Sequence, residues 1–281
     1  MEQAQAIKAR LANLRELRKL FQALRAMAAG RLHEGQDALA GIRAHVAVVE
    51  AALSEALALV TEGPRPLPFG EGPPVLIAVC AEHGFVGGFN ARLLDRAEAL
   101  REKGERLVIV GSRGATIAAE RGFELEGRQP MATHAPGVPR LARNLFPQVV
   151  GARRVRVVFG AYRRGGAFDV TDRGVLPPEP APQPAYGELV LPLTQMPPAE
   201  LVARLYDEYL FAALTVALME SFASENAARL QVMEAADRSI ADKLEVLQRA
   251  ENDLRQEAIT EELLDVVTGA EAITSRRGTD G

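Results

Sequence analysis

The chain of 281 residues has no tryptophan, one cysteine and only 5% aromatic residues. A single cysteine, Cys80, excludes an intramolecular disulfide and any metal site built from several thiolates, and it fits a reducing compartment. No run of eighteen apolar residues occurs, so no membrane-spanning helix and no direct membrane insertion are expected. The opening MEQAQAIKARLANLRELRKL is amphipathic and charged, without the continuous apolar core of a signal peptide. A formal net charge of only −4 removes the global basic signal of a nucleic-acid binder. What is present is 48% hydrophobic content, which supports a real core, in a length that suits one large or two ordinary domains. A bias to Ala, Leu, Glu and Arg favours long helices.

Proline is absent from Gln3 to about Thr61 and again beyond Pro198 to about Thr274. In the first stretch Ile7, Leu11, Leu14, Leu17, Phe21, Leu24 and Met27 recur at helical spacing, and Ile42, Val46, Val49, Leu53, Leu57 and Val60 resume it. Gly30, Gly35 and Gly41 interrupt it and mark either a bend or a close backbone contact. Unbroken, this helix would run roughly 90 Å at 1.5 Å per residue, and it needs a partner to cover its stripe. In the last stretch Leu201, Leu205, Leu210, Leu214, Leu218 and Phe222 share a face. Leu230, Met233, Ile240, Leu244, Leu247, Leu254, Ala258, Leu263, Val267 and Ala270 carry the stripe on for roughly 110 Å in all.

Between them the pattern changes. Residues 62–74 are a Pro/Gly linker, TEGPRPLPFGEGPP from Thr61 on, and residues 75–197 read as an α/β domain. VLIAVC and RLVIVGS are buried strands. NARLLDRAEALREKG is a helix ended by Gly104, RGATIAAERG a helix ended by Gly122, and RLARNLFPQVVGA a third helix. RRVRVVFGAYRRGGAFDVTDRGVLP is a strand, a turn and another strand. PPEPAPQPAY is a surface excursion. Strands alternating with helices predict a small, largely parallel sheet. The fold class expected is therefore α/β plus coiled coil: helices over residues 1–61 and 198–275 wound antiparallel on each other, bracketing a Rossmann-like domain, with a tail at 276–281.

The loop EHGFVGGFN follows the first strand and opens a helix, as phosphate loops do. It has no Gly-Lys-Ser/Thr, its glycines at 84, 87 and 88 do not follow G-x-G-x-x-G, and it carries no lysine. The favoured reading is a tight turn with Asn90 capping the next helix. No other chemistry assembles. His33, His45, His83 and His134 are scattered, His83 beside Glu82 reads as a surface turn, and Cys80 reads as a buried thiol. Asp237, Asp242 and Glu245 with Arg238 and Lys243 read as a solvated face, as do Arg153, Arg154, Arg156, Arg163 and Arg164. No catalytic residue, cofactor or metal is predicted.

The C-terminal stretch ESFASENAARLQVMEAADRSIADKLEVLQRAENDLRQEAITEELLDVVTGAEAI closely resembles the end of the gamma subunit of F-type ATP synthases. The family pattern is ExxASExxxRMxAMxxA followed by NxxRQxxITxEIxEIxxGAxA. The chain matches it at Ser224-Glu225-Asn226, Arg229-Leu230, Met233, Ala236, Asn252, Arg255-Gln256, Ile259-Thr260-Glu261 and Gly269-Ala270. HGFVGGFN is similar to the family's RGLCGGFN, and IKARL…KLFQALRAMAAGRL to IKxRI…KITKAMxMVAAxKL. Departures are Leu17 and Phe21 for two threonines, Leu24 and Ala26 for paired methionines with Met27 one place on, Val86 for a cysteine, Arg31 for a lysine, and Asp253-Leu254 for a more basic pair. They suggest a divergent branch, such as the rotor of a sodium-translocating N-type ATPase rather than the housekeeping enzyme.

The resemblance implies a non-catalytic rotor shaft of the central stalk. It would be held in a ring of catalytic and noncatalytic subunits (alpha and beta), with an epsilon-like stalk subunit and a membrane c-ring as further partners. Such a chain would lie peripherally on the cytoplasmic face of the cell inner membrane. Arg255 and Gln256, with Asn252 and Thr260, are expected to contact a mobile loop of a catalytic subunit. Leu24 and Met27, with Arg31, are expected to pack on the partner helix or the surrounding sleeve. Docking on the membrane ring is expected near Glu188 to Leu193. Two rival classes are a stand-alone coiled-coil scaffold and a nucleotide-binding enzyme using residues 75–90.

Overall fold

The computed structural model describes residues 2–60, 70–163, 167–178 and 194–277, with side chains for all of these except 2–4, 265 and 268–277. The elements in order are α1 (Glu2–Ala58), β1 (Val75–Val79), α2 (Phe89–Leu100), β2 (Arg106–Val110), α3 (Ser112–Glu120) and β3 (Gly127–Gln129). A short 3₁₀ turn (Ala135–Gly137) follows, then α4 (Val138–Val149), β4 (Val155–Tyr162), β5 (Phe168–Leu176) and α5 (Pro198–Arg277). The long terminal helices and the sheet between them in sequence are the predicted fold class. The chain divides into two compact units, one made of Met1–Arg25 and Met233–Gly281, the other of Ala26–Val232.

In the larger unit the sheet has strand order β3-β2-β1-β4-β5, parallel except for the β4–β5 pair. Side chains alternate across it with period two. Val75, Ile77, Val79, Val108, Val110, Val155 and Val157 face one core, which Leu141 and Leu145 of α4 and the apolar residues of α1 and α5 complete. Leu76, Ala78, Cys80, Leu107, Ile109 and Val158 face the other, closed by Leu93, Leu94, Ala115 and Ala118 of α2 and α3. Cover on both faces is why these strands read as continuous apolar runs. The edge strand β3, Gly-Arg-Gln, has no apolar pattern and adds a fifth strand to the four that the sequence predicts. Helix α2 stops at Leu100 rather than at Gly104. Arg101 turns extended while its N–H still bonds Ala97 O, and the Glu105 carboxylate caps the next turn through Glu102 N–H.

The α1 seam in this unit is Ala28, Leu32, Gly35, Leu39, Val46, Val49, Leu53 and Ala56, all buried, with Ile42 half-buried. The steps alternate three and four, the 3.5-residue period of a coiled coil. Its partner is α5, and the pairing is antiparallel: Gly35 lies against Phe222 and Ala223, Arg43 pairs with Glu220, and His45 pairs with Glu208. Of the three interrupting glycines Gly35 is the close contact; among the described residues a Cβ at Gly30 or Gly41 would meet nothing within 4 Å. From Ala212 to Arg229 every residue of α5 is buried, because α1 covers one side and the sheet the other.

In the smaller unit the two helices again pair antiparallel, with Arg15 donating to Gln248 and both Arg18 and Gln22 donating to Asp237. The α1 seam here is Ile7, Leu11, Leu14, Arg18 and Phe21. Leu17 is exposed, correcting its place in the expected stripe; Arg18 takes the inward position. Asp237 is likewise not on a solvated face: its side chain is 14% exposed, and the Arg18 hydrogen bond holds its carboxyl below the usual range. On α5, Met233, Ala236, Ile240, Leu244, Leu247 and Leu254 turn inward. Beyond Leu254 the side chains of residues 255–264, 266 and 267 are exposed, so Ala258, Leu263 and Val267 do not continue the packed stripe as expected.

Candidate functional site

The glycine loop and the C-terminal motif, far apart in sequence, form one site. In a doubly wound sheet the ligand crevice lies beyond the carboxyl ends of the strands where the order reverses. Here that point is between β1 and β4, and α5 fills it. Ser221 Oγ donates to Val79 O (2.8 Å) and accepts from Gly160 N–H (3.4 Å). Ser224 Oγ donates to Gly160 O (2.9 Å). A Cβ at Gly160 would lie 2.7 Å from Phe89 Cε2 and 2.9 Å from Ser224 Cβ, so only glycine admits the helix this close.

A charged clip completes the contact. Arg229 donates to Glu225 Oε1 (2.6 Å), to Asn226 Oδ1 (3.2 Å), and to the carbonyls of His83 and Gly84 (both 3.4 Å). Glu225 accepts the Glu82 N–H in return. The acid takes the loop's donor and the base takes its acceptors, which satisfies two buried charges with backbone of one turn. Burial still pushes the Glu225 carboxyl above its ordinary value, against the pull of Arg229. The turn holds Phe85 at φ 60° and Gly87 at φ 55°.

Asn90 does not cap α2. Gly88 is the N-cap, and Asn90, buried in the first turn, accepts Ala81 N–H at 2.8 Å and so braces the end of β1. Glu82 is engaged by Ser112 N–H and Oγ and by Met131 N–H. Burial pushes its carboxyl up, but these bonds outweigh that and hold it below the usual range; it is not free for acid–base work with His83. Cys80 is buried, its thiol pushed up to about 12 by burial and then by Glu225. The basic run by β4 is also not simply solvated. Arg156 and Arg154 are neutralised by Glu105 and Glu102, and the Glu105 side chain is 0% exposed. Arg163 pairs with Asp169; Arg164 lies outside the described residues.

The predicted contact residues fall on exposed surface. In the smaller unit Asn252, Arg255, Gln256 and Thr260 are all exposed. At 100° per residue they share a face about 140° wide, together with Ile259 (48% exposed) and Leu263 (61% exposed). Thr260 Oγ1 donates to Gln256 O, and Arg255 has no ion-pair partner among the described residues. Asp253, Glu257 and Glu261 flank this face. Leu24 is half-buried in the same unit, beside exposed Leu17 and Leu20. In the larger unit Met27 is 52% exposed and Arg31 half-buried, one turn apart. Met27 is therefore not core.

The model of a family described as ATP synthase matches residues 3–273. An ATP synthase gamma chain of Parafrankia sp. (strain EAN1pec) is 30% identical, with 95% of this chain and 96% of the relative covered. The chain belongs to the ATP synthase gamma-chain family. The gamma chain of Chlorobaculum tepidum is 26% identical over 95% of this chain and 97% of its own length. Among solved structures, a chain of the Euglena gracilis mitochondrial ATP synthase aligns with a TM-score of 0.61 at 14% identity, covering 98% of this chain and 96% of that one. A chain of the Tetrahymena thermophila mitochondrial ATP synthase central stalk and c-ring aligns with a TM-score of 0.56 at 17% identity, covering 77% and 99%. Membership makes the chain a rotor subunit of an ATP synthase, and HGFVGGFN, which opened as a possible phosphate cradle, is the seat of its C-terminal helix.

Proposed function

We propose that the chain is a non-catalytic shaft that couples rotation to nucleotide chemistry in a surrounding alpha/beta ring, through the exposed face carrying Asn252, Arg255, Gln256 and Thr260. The observation that carries this is an exposed arginine with no ion-pair partner among the described residues, set among exposed Ile259 and Leu263 on a stretch of α5 whose side chains from 255 to 264 are all exposed. A guanidinium fork beside an amide suits a carboxylate or backbone carbonyls of a mobile loop. A shaft shifts a site between conformations only by touching them differently, and this helix presents unlike faces: mixed apolar and forked donors on one side, Asp253, Glu257 and Glu261 on the other. Met27, Arg31 and Leu24 are the matching contacts on α1. The α/β domain docks on a membrane c-ring and an epsilon-like subunit, and the complex lies at the cytoplasmic face of the cell inner membrane. The expected docking segment, residues 188–193, lies outside the described residues. No helix among the described residues is long and apolar enough to cross a membrane. The test is Arg255→Ala in the assembled complex. ATP synthesis and hydrolysis coupled to ion movement should fall while the isolated chain keeps its unfolding midpoint; unchanged coupled turnover refutes the assignment. The genes flanking this one distinguish the housekeeping from the N-type complex.

A further inference from the structure

Apolar contact is non-directional, so a helix lying only in an apolar groove can roll about its axis at small cost. Hydrogen bonds weaken steeply when their angle is lost, so they resist that roll. Within residues 221–229, the buried side-chain bonds that α5 makes outside its own helix end on the sheet or its loop. Ser221 bonds β1 at Val79 and β4 at Gly160, Ser224 bonds Gly160, and Glu225 and Arg229 bond Glu82, His83 and Gly84. The anchors at Ser221 and Arg229 are about 12 Å apart along the axis at 1.5 Å per residue. The contacts toward α1 differ: Arg43, paired with buried Glu220, and His45, bonded to Glu208, are themselves more than half exposed, so solvent and salt reach these contacts from the α1 side.

We propose that this set of bonds, Ser221 and Ser224 to the strand ends and Glu225 with Arg229 to the loop, is the torsional coupling by which the α/β domain turns with α5. The proposal rests on the rotor reading and goes beyond it by assigning torque transfer to side chains buried inside the chain itself. It also explains why the loop and the Ser-Glu…Arg motif occur as a pair: each is the other's binding site.

The experiment uses the catalytic ring assembled with the full chain and fixed to a surface. A particle is attached through Lys103→Cys, an exposed position; buried Cys80 stays unlabelled. The rotor is stalled and the angular fluctuation of the particle recorded for this background and for Ser221→Ala/Ser224→Ala. The expected result is at least a twofold rise in angular variance, with assembly and particle-free ATP hydrolysis within twofold of the parent. A variance unchanged by the substitutions overturns the proposal, because a purely stabilising role leaves stiffness untouched in an assembled rotor. If the double variant does not assemble, Arg229→Lys carries the same criterion, since it keeps the charge beside Glu225 and removes the fork to His83 and Gly84. A parent chain that does not turn in the ring overturns the rotor reading itself, a failure distinct from an unchanged variance.

Discussion

Replacing Arg229 with Ala is the sharpest chemical test of the buried clip. The substitution leaves the Glu225 carboxylate, whose side chain is 5% exposed, without its counter-ion. Breaking a buried pair from one side costs about 3–5 kcal/mol, which for a chain of this size lowers the unfolding midpoint by roughly 6–20 °C. The loss must depend on pH. Glu225 already titrates above its ordinary 4.5, raised by burial and pulled back by Arg229 and the Glu82 N–H; without Arg229 it rises further. A carboxyl whose folded value exceeds its unfolded value contributes its stability in full at low pH and loses it as pH climbs through the folded value. Because the variant has the higher folded value, its deficit against the parent is smallest near pH 4.5 and grows to a plateau above that value. Denaturant unfolding of both chains at about pH 4.5, 6 and 7.5 reads this directly. Placing Glu225→Gln in both chains should abolish the pH dependence of the difference. A deficit that stays flat with pH, or that remains under about 1 kcal/mol at neutral pH, would falsify the buried-charge account.

Three further outcomes follow from close contacts in the larger unit. Gly30→Ala and Gly41→Ala meet open space and should each stabilise by about 0.5–1 kcal/mol, whereas Gly35→Ala must push Phe222 or Ala223 from 3.1–3.2 Å and should gain nothing or lose stability; equal gains at all three positions contradict the seam. Gly160→Ala should destabilise by about 1–3 kcal/mol by forcing α5 or Phe89 away, and an unchanged midpoint counts against the close approach. Cys80, with its thiol at about 12, should resist a thiol reagent at neutral pH in the folded chain and react on unfolding; labelling at equal rates in both states contradicts its burial.

Long elements were legible in the sequence because each carries a period or a composition of its own. The seventy-odd proline-free residues after Pro198 and the apolar runs at Val75 and Arg106 announce a helix and buried strands without help. The register of α1 was harder. Large apolar residues single out Leu17 and Met27, but the seam runs through Arg18 in the smaller unit and through Ala28 and Gly35 in the larger one, where a salt bridge, a methyl and a bare backbone make the contacts. Asn90 shows the same limit: an N-cap pattern is local, and its true partner, the Ala81 amide, belongs to the preceding strand. Ser221, Ser224, Glu225 and Arg229 went unassigned as a site because they look like an ordinary polar helix face until the sheet is placed beside them. The one available signal was their co-occurrence with the glycine loop in the resemblance. The expectation of a contact face at Asn252–Thr260 came from that resemblance alone; helical spacing places the residues together but says nothing of what they meet.

The pairing of α1 with α5 also has a consequence for how the chain is made. Arg43 waits for Glu220, 177 residues later, and at about 5–20 residues per second that delay is roughly 9–35 s. For that time Leu32, Leu39, Val49 and Leu53 have emerged from the ribosome with no α5 to cover them. The first helix synthesised thus waits for the last, and the sheet, whose strands all lie between, keeps the face that α5 covers open for the same interval. A nascent chain of this kind spends most of its synthesis with an apolar seam open to whatever holdase or neighbouring coil is near.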